Sequence, residues 1–351
     1  MPSLISANNW IRISRFRAPN KIDVILSSSP ENIAHAAKSL RSGGIVAFPT
    51  ETVYGLGANA LDAQAVAEIF RIKRRPATDP LIIHLADPRE IELVADLSNP
   101  AVRRRLQQLN RFWPGPLSVV LPKKTAVPDA VTAGLPSVAV RIPRHPVALA
   151  LIKASGVPVA APSANPFSYI SPTTAQHVVD NLGEQVSIVL DGGPCEIGLE
   201  STVISLTSEV PEILRPGAIT LESISKALDT RVMRSLGTVA QGAAPGPGML
   251  REHYSPHTKV ELWDRSSRAP SGRVGFVSIN GSQHDRASLE RYEAFRALSA
   301  DGDLEEAASK LFSTLRELDR MGLDLIVVDT CNREGLGAAI MDRLTRASAR
   351  S

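Results

Sequence analysis

From residue 21 onward the apolar residues of this chain fall into two rhythms. Short, nearly unbroken apolar runs read as strands: KIDVIL (21–26), GIVAFP (44–49), PLIIHLAD (80–87), WPGPLSVVLPK (113–123), SVAVRIP (137–143), VPVAAPS (157–163), VSIVLDGG (186–193) and STVISL (201–206). Between them, apolar positions recur every three or four residues, the rhythm of an amphipathic helix. PENIAHAAKSLRSG reads as a helix closed by Gly43 and Gly44. DAQAVAEIFRIKR follows with Asp62 as its N-cap, and EIELVADLSNPAVRRRLQQLNRFW is helical in pieces. SPTTAQHVVDNLG reads as a helix with Ser171 as N-cap and Pro172 at the first helical position. ILRPGAITLESISKAL closes this region near residue 228, and PTETVYGLGAN, between strand and helix, reads as a loop. Strands and helices are mixed rather than strictly alternating, which predicts an α/β fold: a mixed sheet with helices packed on it.

The pattern then breaks. Residues 229–258, with LGTVAQGAAPGPGMLREHYSPH, are rich in Gly, Pro and Ala and read as a linker. Beyond it, RVGFVSI, DLEEAASKLFSTLRELDRMG, DLIVVDT and GLGAAIMDRLTRAS predict strand, helix, strand and helix, a small Rossmann-like β-α-β unit with parallel strands and a right-handed crossover. At the other end, MPSLISANNWIRISRFRAPN carries Arg12, Arg15 and Arg17 without an acid or an apolar signal core, and reads as a loose extension. The expected division is an extension at 1–20, a mixed α/β domain at 21–228, a linker at 229–258 and a small α/β unit at 259–351.

Composition narrows the function classes. Aromatic residues make up 4% of the 351 positions, which argues against a stacking platform for single-stranded nucleic acid. A net charge of +3 does not by itself mark a nucleic-acid binder, so local clusters carry the information. Cys195 and Cys331 are far apart, suggest neither metal site nor disulfide framework, and fit a reducing compartment. The longest apolar runs, such as VALALI, fall well short of the ~18–20 residues of a membrane span, so no membrane role is expected.

The densest cluster is RIKRRP (71–76). Val66, Ile69 and Phe70 form the buried stripe of the preceding helix, and the next position on that stripe is Lys73. Arg71, within reach of Glu68, and Arg74 point to solvent, while Arg75 stands before Pro76, out of helical geometry and free to swing toward a cleft. Two readings remain open: cations at a helix C-terminus, or a phosphate clamp in which Lys73 supplies a point charge and Arg75 a fork. GxxxxGK[ST] is absent, and Gly55 and Gly57 do not make GxGxxG spacing, so tight packing explains them as well. His84 ends an apolar strand and is either a structural histidine or a ligand contact. Arg141, in mid-strand, needs an anion, either an internal carboxylate or a substrate carboxylate. Ser163, Asn165 and Ser171 lie in a loop running toward a helix N-terminus, a setting that favours an anion.

Taken in order, GGIVAFPTETVYGLGANA, KRRPATDPLIIH, WPGPLSVVL, VTAGLPSVAVRIPRHP, APSAN, SPTTA, DGG, ESTVI and LRPG closely resemble the YrdC-type threonylcarbamoyl-AMP synthase family. PGPGMLREHYSP and GLGAAIMDRL resemble the linker and small C-terminal domain of its long, two-domain form. The resemblance implies a YrdC-like twisted mixed sheet with packed helices. It implies an enzyme that joins L-threonine, bicarbonate or CO2, and ATP to give threonylcarbamoyl-AMP and pyrophosphate, with Mg²⁺ as companion of the nucleotide and no assigned metal ligands. A separate, downstream threonylcarbamoyl transferase then modifies tRNA, so a weak tRNA contact and a cytoplasmic location are implied too. The implied threonine pocket is Thr52, His84, Arg141, Ala161 and Ser201. The implied ATP site is Lys73, Arg75, Asp79, Ser137, Ser163, Asn165, Ser171 and Arg215, with His253 and Tyr254 from the folded-back linker, and Lys73 and Arg75 are the implied catalytic pair. The chain departs from the family pattern at Pro166, Phe167, Ser168 and Tyr169, which stand where a Ser-Gly pair is common, and at Arg74, where Gly or Asn is usual.

Overall fold

Apolar runs too short to be stable alone become strands of one large sheet. A computed structural model describes residues 24–235, 246, 253–263, 271–284 and 289–349. The expected N-terminal extension, and residues 236–245 and 247–252 of the expected linker, lie outside the described residues. In chain order the first unit comprises β1 (Ile25–Ser27), α1 (Pro30–Arg41), β2 (Val46–Phe48), β3 (Gly55–Asn59), α2 (Ala63–Lys73), β4 (Ile82–His84), α3 (Pro100–Leu109), β5 (Leu117–Pro122), α4 (Asp129–Thr132) and β6 (Ser137–Arg141). It continues with α5 (Pro146–Ser155), β7 (Val159–Ala160), α6 (Ala175–Leu182), β8 (Val189–Asp191), β9 (Thr202–Ser205), β10 (Glu212–Arg215), α7 (Leu221–Leu228) and β11 (Met233–Arg234). The strands form one sheet of mixed direction, in the order β1-β8-β2-β3-β7-β4-β6-β5-β9-β10-β11.

Both faces of that sheet are covered, as the uninterrupted apolar runs require. Along β2, Val46 and Phe48 pack with α1 and α5, while Ala47 between them joins the larger cluster holding Val66 and Ile69 of α2 and Leu106 of α3. This alternation puts helices on opposite faces.

Three local expectations are corrected. Part of PTETVYGLGAN is not loop: Gly55–Asn59 is β3, antiparallel to β2 and β7. Its glycines hid it, because Gly in a strand interior reads as a break. Here glycine is needed for close packing, since a Cβ on Gly57 would lie 2.8 Å from the Phe48 ring and 2.9 Å from Val159. Second, Ser171 is not an N-cap. Helix α6 starts at Ala175 and is capped by Thr174, whose hydroxyl accepts from the His177 amide at 3.2 Å. Thr174→Ala is therefore expected to cost about 1 kcal/mol in chemical denaturation, whereas Ser171→Ala should act on the cavity described below; equal losses of stability with unchanged ligand affinity would contradict this. Third, Arg75 is not free, as its buried ion pair shows below. Arg74 lies exposed in left-handed geometry, φ 52°, as the C-cap of α2, which is the physical reason Gly or Asn suits that position.

The C-terminal unit carries more strands than its sequence pattern shows. β12 (Lys259–Leu262), β13 (Val274–Asn280), β14 (Ala294–Ser299) and β15 (Leu325–Val328) form an all-parallel sheet in the order β12-β15-β13-β14, with α8 (Leu304–Asp319) and α9 (Gly335–Ala347). β12 and β14 escaped notice because charged residues interrupt them (KVEL, AFRALS). The core of this unit runs on into Val53, Ile170 and Leu199 of the first unit and into Tyr254, which stacks on Phe312 with ring centroids 5.5 Å apart. Polar contacts join the units as well: the buried Arg316 of α8 donates to Asn181 and to the carbonyls of Ile170 and Ser171, and the Tyr169 hydroxyl donates to Asp319 at 2.7 Å. Among the described residues no helix is long and apolar enough to cross a membrane.

Candidate active site

The ends of β4 and β6, the loop before β3, the turn after β7 and the start of β9 converge on one cavity. His84 and Arg141 are register partners at the ends of two parallel strands, so their side chains arrive side by side. The Arg141 guanidinium donates to Thr52 Oγ1 at 3.0 Å and to the Gly115 carbonyl at 3.3 Å, and pairs with Glu51 at 2.7 Å. Arg141 thus has an internal carboxylate, Glu51, and it also lines the cavity. Thr52 is held by a 2.8 Å bond with Thr50. Ser201 shares a 2.8 Å hydrogen bond with Ser118 and accepts from Arg215 at 3.1 Å on its hydroxyl and 3.0 Å on its carbonyl.

The cations of RIKRRP separate as their helix positions dictate. Arg71 is exposed and pairs with Glu68. Lys73 is 1% exposed, its ammonium held by the carbonyls of Ser163 (2.6 Å) and Asn165. Among the described residues no carboxylate forms an ion pair with it. Arg75 is buried against Asp79 at 2.8 Å and donates to the carbonyls of Asp79 and Pro80. The preceding expectation of a freely swinging side chain fails because a buried guanidinium needs its partners within the protein.

Of the residues assigned from sequence, Thr52, His84, Arg141, Ala161, Ser201, Arg75, Ser163, Arg215 and His253 line the one cavity. Lys73 and Asn165 stand behind its Ser163 wall, and Asp79 anchors Arg75. Ser171 donates to the Glu200 carboxylate. Tyr254 is fully buried at the unit boundary. Ser137 lines a separate small depression with Thr132, Leu135 and Gly246. Sequence reasoning missed Glu51, Glu200 and Arg343. The first two sit inside quoted strings, TETV and ESTV, but a carboxylate beside an anion site gave no reason to select them. Arg343 looks like any polar position of an amphipathic helix.

Burial dominates the electrostatics. It pushes the Lys73 ammonium well below its ordinary range, and the charge of Arg75 adds to this. Burial and then Arg141 push His84 down to about 3, so its ring is neutral; its Nδ1 makes no hydrogen bond among the described residues. His253 is likewise pushed well below its usual value, first by burial and then by Arg75, Lys73, Arg215 and Arg346. Burial also raises the Glu51 carboxyl, but the charge and hydrogen bond of Arg141 outweigh it and hold the group ionised.

A pH dependence follows with a definite sign. Unfolded His84 takes up a proton near pH 6.5 whereas folded His84 does so only near 3. Stability is complete above 6.5 and falls as the pH drops, by roughly 1.4 kcal/mol per unit for this one group. Denaturant titrations between pH 7 and 5 should show His84→Asn losing about one proton's worth of that slope. An unchanged slope would mean that His84 is charged in the fold.

The donor set does not fit a resident metal ion. Among the described residues no group of three or more His, Cys, Asp and Glu could hold one, and the carboxylates beside the cavity, Glu51, Asp79 and Glu200, are paired with Arg141, Arg75 and Arg343.

Comparison with known proteins places this geometry. The Sua5/YciO/YrdC family model, described as telomere recombination, matches residues 38–217, and the model of the threonylcarbamoyl-AMP synthase C-terminal domain matches residues 219–349. The threonylcarbamoyl-AMP synthase of Pyrococcus abyssi is 42% identical over 318 residues, spanning 89% of this chain and 93% of the relative. That of Bacillus subtilis is 40% identical over 335 residues, spanning 92% and 94%. The crystal structure of P. abyssi Sua5 complexed with L-threonine matches with a TM-score of 0.82 at 39% identity, over 93% of this chain and 97% of that one.

Proposed function

This chain belongs to the Sua5/YrdC family of threonylcarbamoyl-AMP synthases, and on that premise we propose how its cavity serves L-threonylcarbamoyladenylate synthesis from L-threonine, bicarbonate or CO2, and ATP. The observation that carries the proposal is a single cavity with two sets of cations, Arg141 beside Thr52 and His84, and Arg75 and Arg215 with Lys73 around His253. The first suits an amino acid and the second a polyphosphate.

In this reading Arg141 holds the threonine carboxylate with the guanidinium N–H groups left over from Thr52, Gly115 and Glu51. Neutral His84, Thr52 and Ser201 take the amine and hydroxyl, and Ala161 packs against the methyl group. A ring pushed down to about 3 is a poor base for an ammonium, so His84 serves as a hydrogen-bonding partner. The threonine amine, as its free base, attacks CO2 to form a carbamate and gives up a proton to solvent; with bicarbonate, a C–O bond breaks and water leaves. A carbamate oxygen then attacks the α-phosphorus of ATP, and the bond to the β,γ-pyrophosphate breaks. Lys73, Arg75 and Arg215 stabilise charge on the phosphate oxygens, a preorganised electrostatic role. Ser163, Asn165 and Ser171 complete the phosphate side, with Asp79 orienting Arg75. Since the described residues supply no metal site, Mg²⁺ belongs to this scheme only as the nucleotide's own counter-ion.

The same reading assigns residues 21–228 to catalysis, 229–258 to a lid carrying His253 and Tyr254, and 259–351 to a supporting unit. It places the chain in the cytoplasm, handing its product to a transferase that acts on tRNA, with at most a weak tRNA contact of its own. The test is pyrophosphate release by the purified chain while L-threonine and bicarbonate are varied independently, with mass spectrometry of the product. Release that needs both, with a threonylcarbamoyl adenylate formed, supports the reading. Salt-sensitive RNA binding without turnover would replace it with an RNA-binding role.

A further inference from the structure

Glu200 presents a difficulty for any anion-binding reading of the cavity. It is a buried residue on the cavity wall, directly before Ser201 and within electrostatic reach of Lys73 and Arg215. An ionised carboxylate there competes with phosphate for the same cations. Its own partner comes from the other unit. Arg343, on the last helix α9, has a side chain with no solvent exposure and donates through Nε to Glu200 Oε2 at 2.9 Å. Its Nη1 donates to the Pro216 carbonyl at 2.9 Å and to Asp342 at 2.7 Å, and its guanidinium lies 5.2 Å from the Tyr254 ring centroid. The other oxygen of Glu200 accepts from Ser171. One guanidinium thus joins the strand entry at 200–201 to the turn after Arg215, where a Cβ on Gly217 would lie 2.7 Å from the Glu200 carbonyl.

We infer that Arg343 is a positioning residue for the nucleotide: by occupying the Glu200 carboxylate it keeps Lys73 and Arg215 available to phosphate and makes the C-terminal unit part of the active site. The inference rests on the reading of the cavity as an ATP site. Asp342 and Arg346 pair with each other at 3.1 Å, so they do not supply a spare cation to Glu200 when Arg343 is lost. Without Arg343, the side-chain partner left to the Glu200 carboxylate among the described residues is the hydroxyl of Ser171, and the cations of the cavity become its nearest source of compensation.

The experiment is ATP titration calorimetry without threonine, on wild type, Arg343→Met, Arg343→Lys and the Glu200→Gln/Arg343→Met double variant. Removing one member of a buried ion pair should weaken ATP binding roughly tenfold or more in Arg343→Met. Arg343→Lys should retain part of the affinity. The double variant should recover most of it, because the competing carboxylate is gone, and the weakening should be present in Arg343→Met preparations that circular dichroism shows to be fully folded; a purely structural role would lower the folded fraction and leave the ATP affinity of the folded protein unchanged. ATP affinity unchanged in Arg343→Met, or no recovery in the double variant, overturns the inference. If Arg343→Met does not fold, Arg343→Lys with and without Glu200→Gln decides by the same comparison. A wild-type chain that does not bind ATP overturns the underlying reading of the cavity instead.

Discussion

Arg141→Met is expected to destabilise the fold by about 3–5 kcal/mol and to weaken threonine use together, because one side chain serves both. Arg141 and Glu51 are almost wholly buried and 2.7 Å apart, so removing the guanidinium strands a carboxylate in the interior. It also takes donors from Thr52 Oγ1 and the Gly115 carbonyl. The two roles separate in Glu51→Gln/Arg141→Met, where the stranded charge is gone. Denaturant unfolding should show at least half of the lost stability restored. Threonine use should not return, since a charge-assisted contact to its carboxylate accounts for roughly 10- to 100-fold in affinity. A double variant as unstable as the single would show that the ion pair is not what holds this corner. Wild-type threonine affinity in the double variant would remove Arg141 from the substrate site.

Lys73→Met should behave in the opposite way, with turnover lowered about 10²–10³-fold and the melting temperature shifted by only a few degrees. Burying the ammonium is itself costly, and its pKa is driven down by that burial. Methionine relieves this cost at similar volume but leaves the carbonyls of Ser163 and Asn165 without their donor, about 1–3 kcal/mol each. These terms oppose one another, so stability changes little. Pyrophosphate release and thermal melting on the same preparations provide the check. A chain that unfolds would make Lys73 a structural pin of the 163–165 loop, and a chain with full turnover would take it out of the phosphate site.

The difference between these variants reflects how each residue could be read beforehand. Lys73 was legible because helical periodicity is local: seven residues after Val66 it must lie on the buried stripe, and α2 keeps it there. Arg75 was only half legible. The proline after it ends the helix, but its attachment to Asp79 depends on how the next turn folds back. Ser171 misled for a related reason. A serine before a proline fits the local rules for a helix start, and Thr174 three residues on fits them as well; the choice went to Thr174 because the Ser171 hydroxyl is drawn to Glu200, 29 residues away.

The sequence by itself determined the α/β class, most strands and helices of the first unit, the cationic stripe ending at Lys73, and a string of motifs specific enough to indicate the family. These depend on backbone preference and on which side chains avoid water, both set within a few residues. Only the tertiary structure decided that β3 is a strand, that the C-terminal sheet has four strands, which buried cation meets which carboxylate, and that Arg343 reaches the cavity wall from the far end of the chain. A buried charge takes its partner from whatever the fold brings within hydrogen-bonding distance, and residues 143 positions apart carry no local mark of that meeting.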